Sequence, residues 1–131
     1  MLQGFRRMLR AAMLVLVCCL SSAHAGGGED HGGGGGAPLK FTTNLGTSRY
    51  LQLEVVLEAA NSEADHHLAM YKPRLQHEII LMLSGESQEN LQTLKGKLEL
   101  QAKIQEIANH IIHETPKTGI KDVLFTSFII Q

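Results

Sequence analysis

The sequence predicts an α+β fold, in which a small antiparallel or mixed sheet carries helices packed on one side. Residues 50–58 and 120–131 are rich in β-branched, aromatic and other apolar residues, as strands are. Between them, residues 62–113 place apolar residues at helical spacing. A helical block between strands is typical of a sheet with one helical layer.

The first 25 residues have the three-part pattern of a secretory signal peptide. Arg6, Arg7 and Arg10 precede an apolar run, and Ala23 and Ala25 form an A-x-A cleavage site. The run has about ten residues, whereas about twenty are needed to span a bilayer as a helix. We predict cleavage after Ala25. If the segment is retained as an anchor instead, its arginines are expected to stay in the cytoplasm. Either way, the rest of the chain is expected outside the cytoplasm.

Residues 26–37 are dominated by glycine and predict a flexible linker ahead of a folded domain at 38–131. Both cysteines, Cys18 and Cys19, precede the linker, so the domain has no thiol for a disulfide. The whole chain has 12 Lys and Arg residues and 13 Asp and Glu residues. Because three of the arginines lie in the first ten residues, the acidic residues outnumber the basic ones clearly in the rest of the chain, and the domain is mildly acidic. Since the chain also has no Trp, we expect no nucleic-acid partner.

Two strands are expected before the helices. Residues 39–44 predict a short edge strand, and residues 50–58 predict a longer strand with regular alternation. The apolar face of the longer strand carries Leu51, Leu53, Val55 and Leu57. The opposite face carries Tyr50, Gln52, Glu54 and Glu58.

The apolar run at 120–131 predicts a strand held inside the sheet, because terminal segments fray unless a sheet or a docked helix holds them. A regular two-residue period puts on one face Val123, Phe125 and Ile129. The same period puts on the other face Leu124, Phe128 and Ile130. Since both faces are apolar, we expect cover on both sides, from the chain's own helices or from a neighbouring copy.

Three helical segments are predicted between the strands. The first begins at Ser62 and is interrupted by Pro73, after which residues 74–83 form a second run that Gly85 ends as a left-handed cap. The third covers residues 91–113, where Gly96 indicates either tight packing or a frayed turn. Its predicted buried stripe consists of Leu91, Leu94, Leu98, Ile104, Ile107, Ala108, Ile111 and Ile112.

His110 and His113 are the candidates for a metal site, because a spacing of one helical turn lets both imidazoles reach one ion. Zinc sites take three or four ligands, however, and the domain has no cysteine. The histidines, which also include His66, His67 and His77, are more often surface residues near helix ends. The sequence has neither a G-x-S-x-G nucleophile elbow nor a phosphate-binding glycine loop. We therefore predict a protein that is not an enzyme and takes no metal or cofactor.

Four segments of the domain carry a family resemblance. They are residues 50–58, 72–84, 94–98 and 123–131. The closing run, VLFTSFIIQ, is the most specific of the four, and their order along the chain adds to its weight. Together, over residues 39–131, they resemble the flagellar basal-body-associated FliL family.

The resemblance implies a domain similar to the stomatin-type, or SPFH-like, domain on the periplasmic side of the bacterial inner membrane. It also implies association with flagellar stator units, homo-oligomeric rings, and a role in torque, swimming and swarming. Such proteins usually keep an uncleaved transmembrane helix, from which the short apolar run of this chain departs. The candidate contact residues are Tyr50, Gln52, Glu54, Phe125, Phe128 and Ile130.

Two alternatives to this scaffold function remain open at the level of sequence. One is a periplasmic metal-binding protein that depends on His110 and His113. The other is an enzyme subunit without activity of its own.

Overall fold

The computed structural model describes residues 36–131, and the predicted signal segment at 1–25 and residues 26–35 of the predicted linker lie outside them. The described part is an α+β unit in which helices pack on a three-stranded antiparallel sheet, as predicted. Its elements in chain order are β1 (Leu39–Leu45), β2 (Arg49–Ala59), α1 (Ser62–Ser84), α2 (Gln88–Leu91), α3 (Leu94–Ile112) and β3 (Ile120–Ile130).

The sheet has the order β1-β2-β3, with β2 in the centre. A tight turn joins the first two strands, and Gly46 adopts there the left-handed conformation, φ 67°, that glycine tolerates best. The predicted alternation along β2 is confirmed, because Leu51, Leu53 and Val55 are buried. We call the side of the sheet that carries these residues the inner face; α1 and α3 pack against it. The opposite side, which begins with Tyr50, is the outer face.

Strand β3 lies at an edge of the sheet, paired with β2 alone among the described residues, so the prediction of a strand held inside the sheet is wrong. The assignment of its faces is also partly wrong. Glu54 pairs with Ser127 and Val55 pairs with Phe125, which leaves Thr126 as the extra residue of a β-bulge.

The bulge at Thr126 inverts the alternation for the rest of the strand. Phe128 and Ile130 lie opposite the inward-facing residues of β2 and share the inner face with Val123 and Phe125. Ile129 joins Leu124 on the outer face. The apolar residues of β3 are therefore concentrated on the inner face.

Helix α1 is continuous through Pro73, contrary to the predicted interruption. Proline removes the N–H that would bond the carbonyl four residues earlier, yet α1 buries apolar residues on both sides of it, including Leu68 and Leu75. Packing of both halves on one core therefore outweighs the local cost. The helix begins at Ser62 as predicted, but its N-cap is Asn61, whose Oδ1 accepts from the Ala64 N–H at 2.9 Å.

The predicted third helix is divided at Thr93, whose Oγ1 accepts from the Gly96 N–H at 3.0 Å and caps α3. Most of the predicted stripe is buried or half-buried, but Leu94 and Leu98 are 74% and 55% exposed, so their assignment to the core is wrong. Tight packing explains Gly96, because a Cβ there would lie 1.9 Å from the Asn90 carbonyl oxygen.

The left-handed helix cap lies at the end of α3 and not at Gly85, so that prediction is wrong. Gly85 has an ordinary φ of −91°, whereas His113, the C-cap of α3, has a φ of 58°. Its N–H bonds the carbonyl of His110, as left-handed caps do. The second candidate metal ligand is thus a helix-ending residue.

A buried asparagine connects α3 to the first residue of β3. Asn109 Nδ2 donates to the Ile120 carbonyl at 3.0 Å, and its Oδ1 accepts from the Ile120 N–H at 2.7 Å. The side chain thereby satisfies both backbone groups that a neighbouring strand would otherwise bond. It positions the final strand against the helical layer.

Candidate interaction surface

The outer face of the sheet is a surface that no described helix covers. Alternate residues of β2 point to it, and they include the three predicted contact residues of this strand, Tyr50, Gln52 and Glu54. Tyr50 is 53% exposed, although an aromatic side chain gains most when it is buried. The structure therefore brings these three residues together on one accessible face.

Strand β3 adds to this face two apolar side chains that are not among the predicted contact residues. Leu124 lies opposite Val56, and Ile129 lies opposite Gln52, diagonal to Tyr50. Leu124 is 39% exposed and Ile129 is 46% exposed. Apolar side chains that share an uncovered sheet face indicate an interaction site more strongly than scattered ones.

Between the apolar positions, the outer face is polar and charged. Lys40 Nζ lies 3.6 Å from Glu54 Oε2, and Lys121 Nζ lies 3.8 Å from Glu58 Oε2. Solvent-exposed pairs of this kind contribute at most about 1 kcal/mol each, so their groups remain available to other partners. A mixture of apolar and charged groups is typical of surfaces that form non-obligate protein contacts.

The other predicted contact residues, Phe125, Phe128 and Ile130, lie on the inner face and are half-buried against the core. The two phenylalanine rings meet edge to face with their centroids 5.5 Å apart. The predicted contact set is thus divided between the two faces of the sheet. The bulge at Thr126 is the reason, because without it Phe128 and Ile130 would point outward.

The histidines do not converge on a metal site in the described part of the chain. Residues 36–131 contain no group of three or more His, Cys, Asp or Glu side chains placed to hold an ion. His110 lines an open cleft of about 380 Å³ with Glu106 and Glu114. Glu114 also lies near a histidine of α1: His67 Nδ1 is 4.0 Å from Glu114 Oε1 and has no hydrogen-bond partner among residues 36–131.

No helix among residues 36–131 combines the length and the apolar character needed to cross a bilayer.

Comparison with known proteins identifies the family. The family "Flagellar basal body-associated protein FliL" matches residues 37–131. The flagellar protein FliL of Escherichia coli (strain K12) is 30% identical over 93 residues, which cover 70% of this chain and 60% of that protein. That of Aquifex aeolicus (strain VF5) is 27% identical over 82 residues, or 63% and 49% of the two chains. The matched region thus spans about half to three fifths of these relatives. The chain belongs to the FliL family of flagellar basal body-associated proteins.

Proposed function

We propose that this chain is a non-enzymatic accessory protein of the flagellar motor, which contacts stator units at the basal body and supports swimming and swarming. Two lines support the proposal. The family places the chain among flagellar basal body-associated proteins. The described domain also presents an uncovered sheet face on which Tyr50, Leu124 and Ile129 are exposed, and this surface carries the proposal.

The site of action that we propose is the periplasmic side of the inner membrane. The basic, apolar and A-x-A segments of residues 1–25 support export, whether they are later cleaved or kept as an anchor. We further propose that copies of the domain assemble into a ring, and that its fold is similar to the stomatin-type domain. The α+β layer of sheet and helices supports the latter.

The outer face is suited to a scaffold function because its side chains are carried by the strands of a sheet that packs on the core. Residues of β2 and β3 on this face are joined by the backbone ladder, and their inward neighbours are fixed in the core. A rigid surface binds one conformation of a partner better than another, and this difference shifts the partner's equilibrium. Support of torque would follow from stabilising the active form of a stator unit.

A double variant of the outer face tests this function. We expect Leu124→Lys combined with Ile129→Lys to reduce swimming, swarming and motor torque under load toward the level of a gene deletion, when expressed in a deletion strain. The matched control is Met70→Lys, because Met70 is an apolar residue of α1 that is 57% exposed. Exposed substitutions change the free energy of unfolding by only about 0.5 kcal/mol each, so all variants should fold.

The control should restore motility as well as the unmodified chain. Full motility and torque in the outer-face variant, at equal protein level, would contradict the proposal. Normal motility in the deletion strain itself would contradict the wider claim that the protein supports the motor.

A further inference from the structure

Within the described part of the chain, one edge of β3 has no strand beside it, and its backbone groups are not bonded by the sheet. Tyr50 and Gln131 exchange both backbone hydrogen bonds, at 2.7 and 3.0 Å, so residue 131 faces β2. In an antiparallel pair, successive residues alternate in the direction of these groups. The N–H and C=O of Ile130 and Phe128 therefore point away from β2, toward the open edge.

Helix α3 covers the first part of this edge with a row of amide side chains. Beyond the bonds of Asn109, Gln105 Nε2 donates to the carbonyls of Ile120 and Lys121, each at 3.0 Å. One turn earlier in α3, Gln101 Nε2 donates to the Val123 carbonyl at 2.7 Å. Because the three amides recur every four residues, they form one row along the helix and close the edge as far as Val123.

Past Val123 the amide row gives way to exposed apolar side chains. Leu98 and Leu94 lie three and seven residues before Gln101, on the same helix face, and both are more than half exposed. Lys97 Nζ lies 5.0 Å from the centroid of the Phe128 ring, which shows that this part of α3 runs beside the later half of β3. We name the space between them the edge groove, bounded by Leu94, Leu98, Lys97, Phe128 and Ile130.

We propose that the edge groove binds an extended segment of another protein, which adds as a strand to β3 and places an acidic side chain at Lys97. This site is separate from the outer face and does not depend on the proposed motor function.

The backbone of the groove selects an extended partner, since unpaired edge N–H and C=O groups bond to another strand. Leu94 and Leu98 supply an apolar shelf for alternate side chains of that strand. Lys97 sets the charge that the partner segment should carry. No carboxylate of residues 36–131 lies within 4.0 Å of the Lys97 ammonium, whereas Lys95 is paired with Glu99 at 3.8 Å. An acidic side chain would complement this cation.

A second copy of the chain fits the groove less well than such a partner. Among residues 36–131, the two strands with a free edge are β1 and β3, since β2 is paired on both sides. Strand β1, LKFTTNL, contains Lys40 and no acidic residue, and β3 has none after Asp122. Neither edge would bring a carboxylate side chain to Lys97.

Two short synthetic peptides test the proposal on the full chain labelled with ¹⁵N. Both alternate valine and threonine, and they differ in one central residue, glutamate in one and lysine in the other. With the glutamate peptide at saturation, we expect amide hydrogen exchange at Phe128 and Ile130 to slow about tenfold or more. Thr42 on the β1 edge should be unchanged and serves as an internal control. The lysine peptide should bind about fivefold more weakly or worse.

The variant Lys97→Glu should reverse the preference between the two peptides, and such a reversal does not depend on the stability of the variant. Unchanged exchange at Phe128 and Ile130 with the glutamate peptide would overturn the proposal, as would equal dissociation constants for the two peptides. Protection that appears without peptide and grows with protein concentration would also overturn it, because a second copy would then occupy the groove.

Discussion

Replacing Asn109 with alanine is expected to lower the free energy of unfolding by about 2–3 kcal/mol. The buried N–H of Ile120 loses its acceptor at 2.7 Å, and the carbonyl of the same residue loses one of its two donors. A buried donor without a partner bears its full desolvation cost, about 1–3 kcal/mol. The change also removes the contact that positions the first residue of β3 against α3. Urea denaturation followed by circular dichroism measures the loss.

Gln105→Ala is the matched control for this substitution. Gln105 donates to the same Ile120 carbonyl, but that carbonyl keeps its bond from Asn109, and the Gln105 side chain is partly exposed. We expect a loss of about 1 kcal/mol or less. If Asn109→Ala costs no more than Gln105→Ala, the buried asparagine does not have the structural role assigned to it.

A second large effect is expected at Gly96. Alanine normally stabilises a helix interior relative to glycine by about 1 kcal/mol. Here its Cβ would lie 1.9 Å from the Asn90 carbonyl oxygen and 2.5 Å from the carbonyl carbon, and both are backbone atoms that cannot rotate away. We expect Gly96→Ala to lower the free energy of unfolding by about 1–3 kcal/mol through overpacking of the α2–α3 junction.

Gly85→Ala separates this effect from a general sensitivity to added methyl groups. At Gly85 the nearest atom to a new Cβ is the Met82 carbonyl oxygen at 3.5 Å, and the φ of −91° suits any residue. The control should leave the melting temperature unchanged or raise it slightly, whereas Gly96→Ala should lower it by at least about 4 °C. A melting temperature raised by Gly96→Ala would show that the junction is looser than the structure has it.

The strands differ in how much of their placement could be predicted. Alternation along residues 50–58 was sufficient to place Tyr50, Gln52 and Glu54 on an exposed face, because β2 faces Leu51 and Leu53 into a core. In β3 a bulge at Thr126 shifts the period by one residue. Apolar residues occupy both odd and even positions of the sequence there, so no alternation in composition marks the shift. A regular two-residue period therefore puts Phe128 and Ile130 on the wrong face.

In the helices, tertiary packing overrides predictions made from local sequence rules. Pro73 was expected to interrupt α1, but burial of residues on both sides of it keeps the helix continuous. Leu94 and Leu98 fit the amphipathic stripe of a long helix, yet α3 begins only after the Thr93 cap, and both leucines are more than half exposed. A pattern of apolar residues cannot show that part of its stripe is left uncovered.

The amide row of α3 is not among the predicted features, although the sequence contains a signal for it. Gln101, Gln105 and Asn109 recur every four residues and therefore share one helix face. Polar residues on a helix are normally assigned to solvent, so the spacing alone did not suggest that they bond the backbone of Ile120 and its neighbours. The buried state of Asn109 depends on the position of β3, which is a property of the tertiary structure.

The most direct test of the central claim, that the outer sheet face contacts the flagellar motor, is photo-crosslinking in motile cells. A benzophenone amino acid is placed at residue 50 on the outer face, and in a separate strain at residue 70 on α1, since Tyr50 and Met70 are 53% and 57% exposed. We predict that residue 50, and not residue 70, crosslinks to a stator protein identified by mass spectrometry. Equal crosslinking from both positions, or no stator protein crosslinked from residue 50, would contradict it.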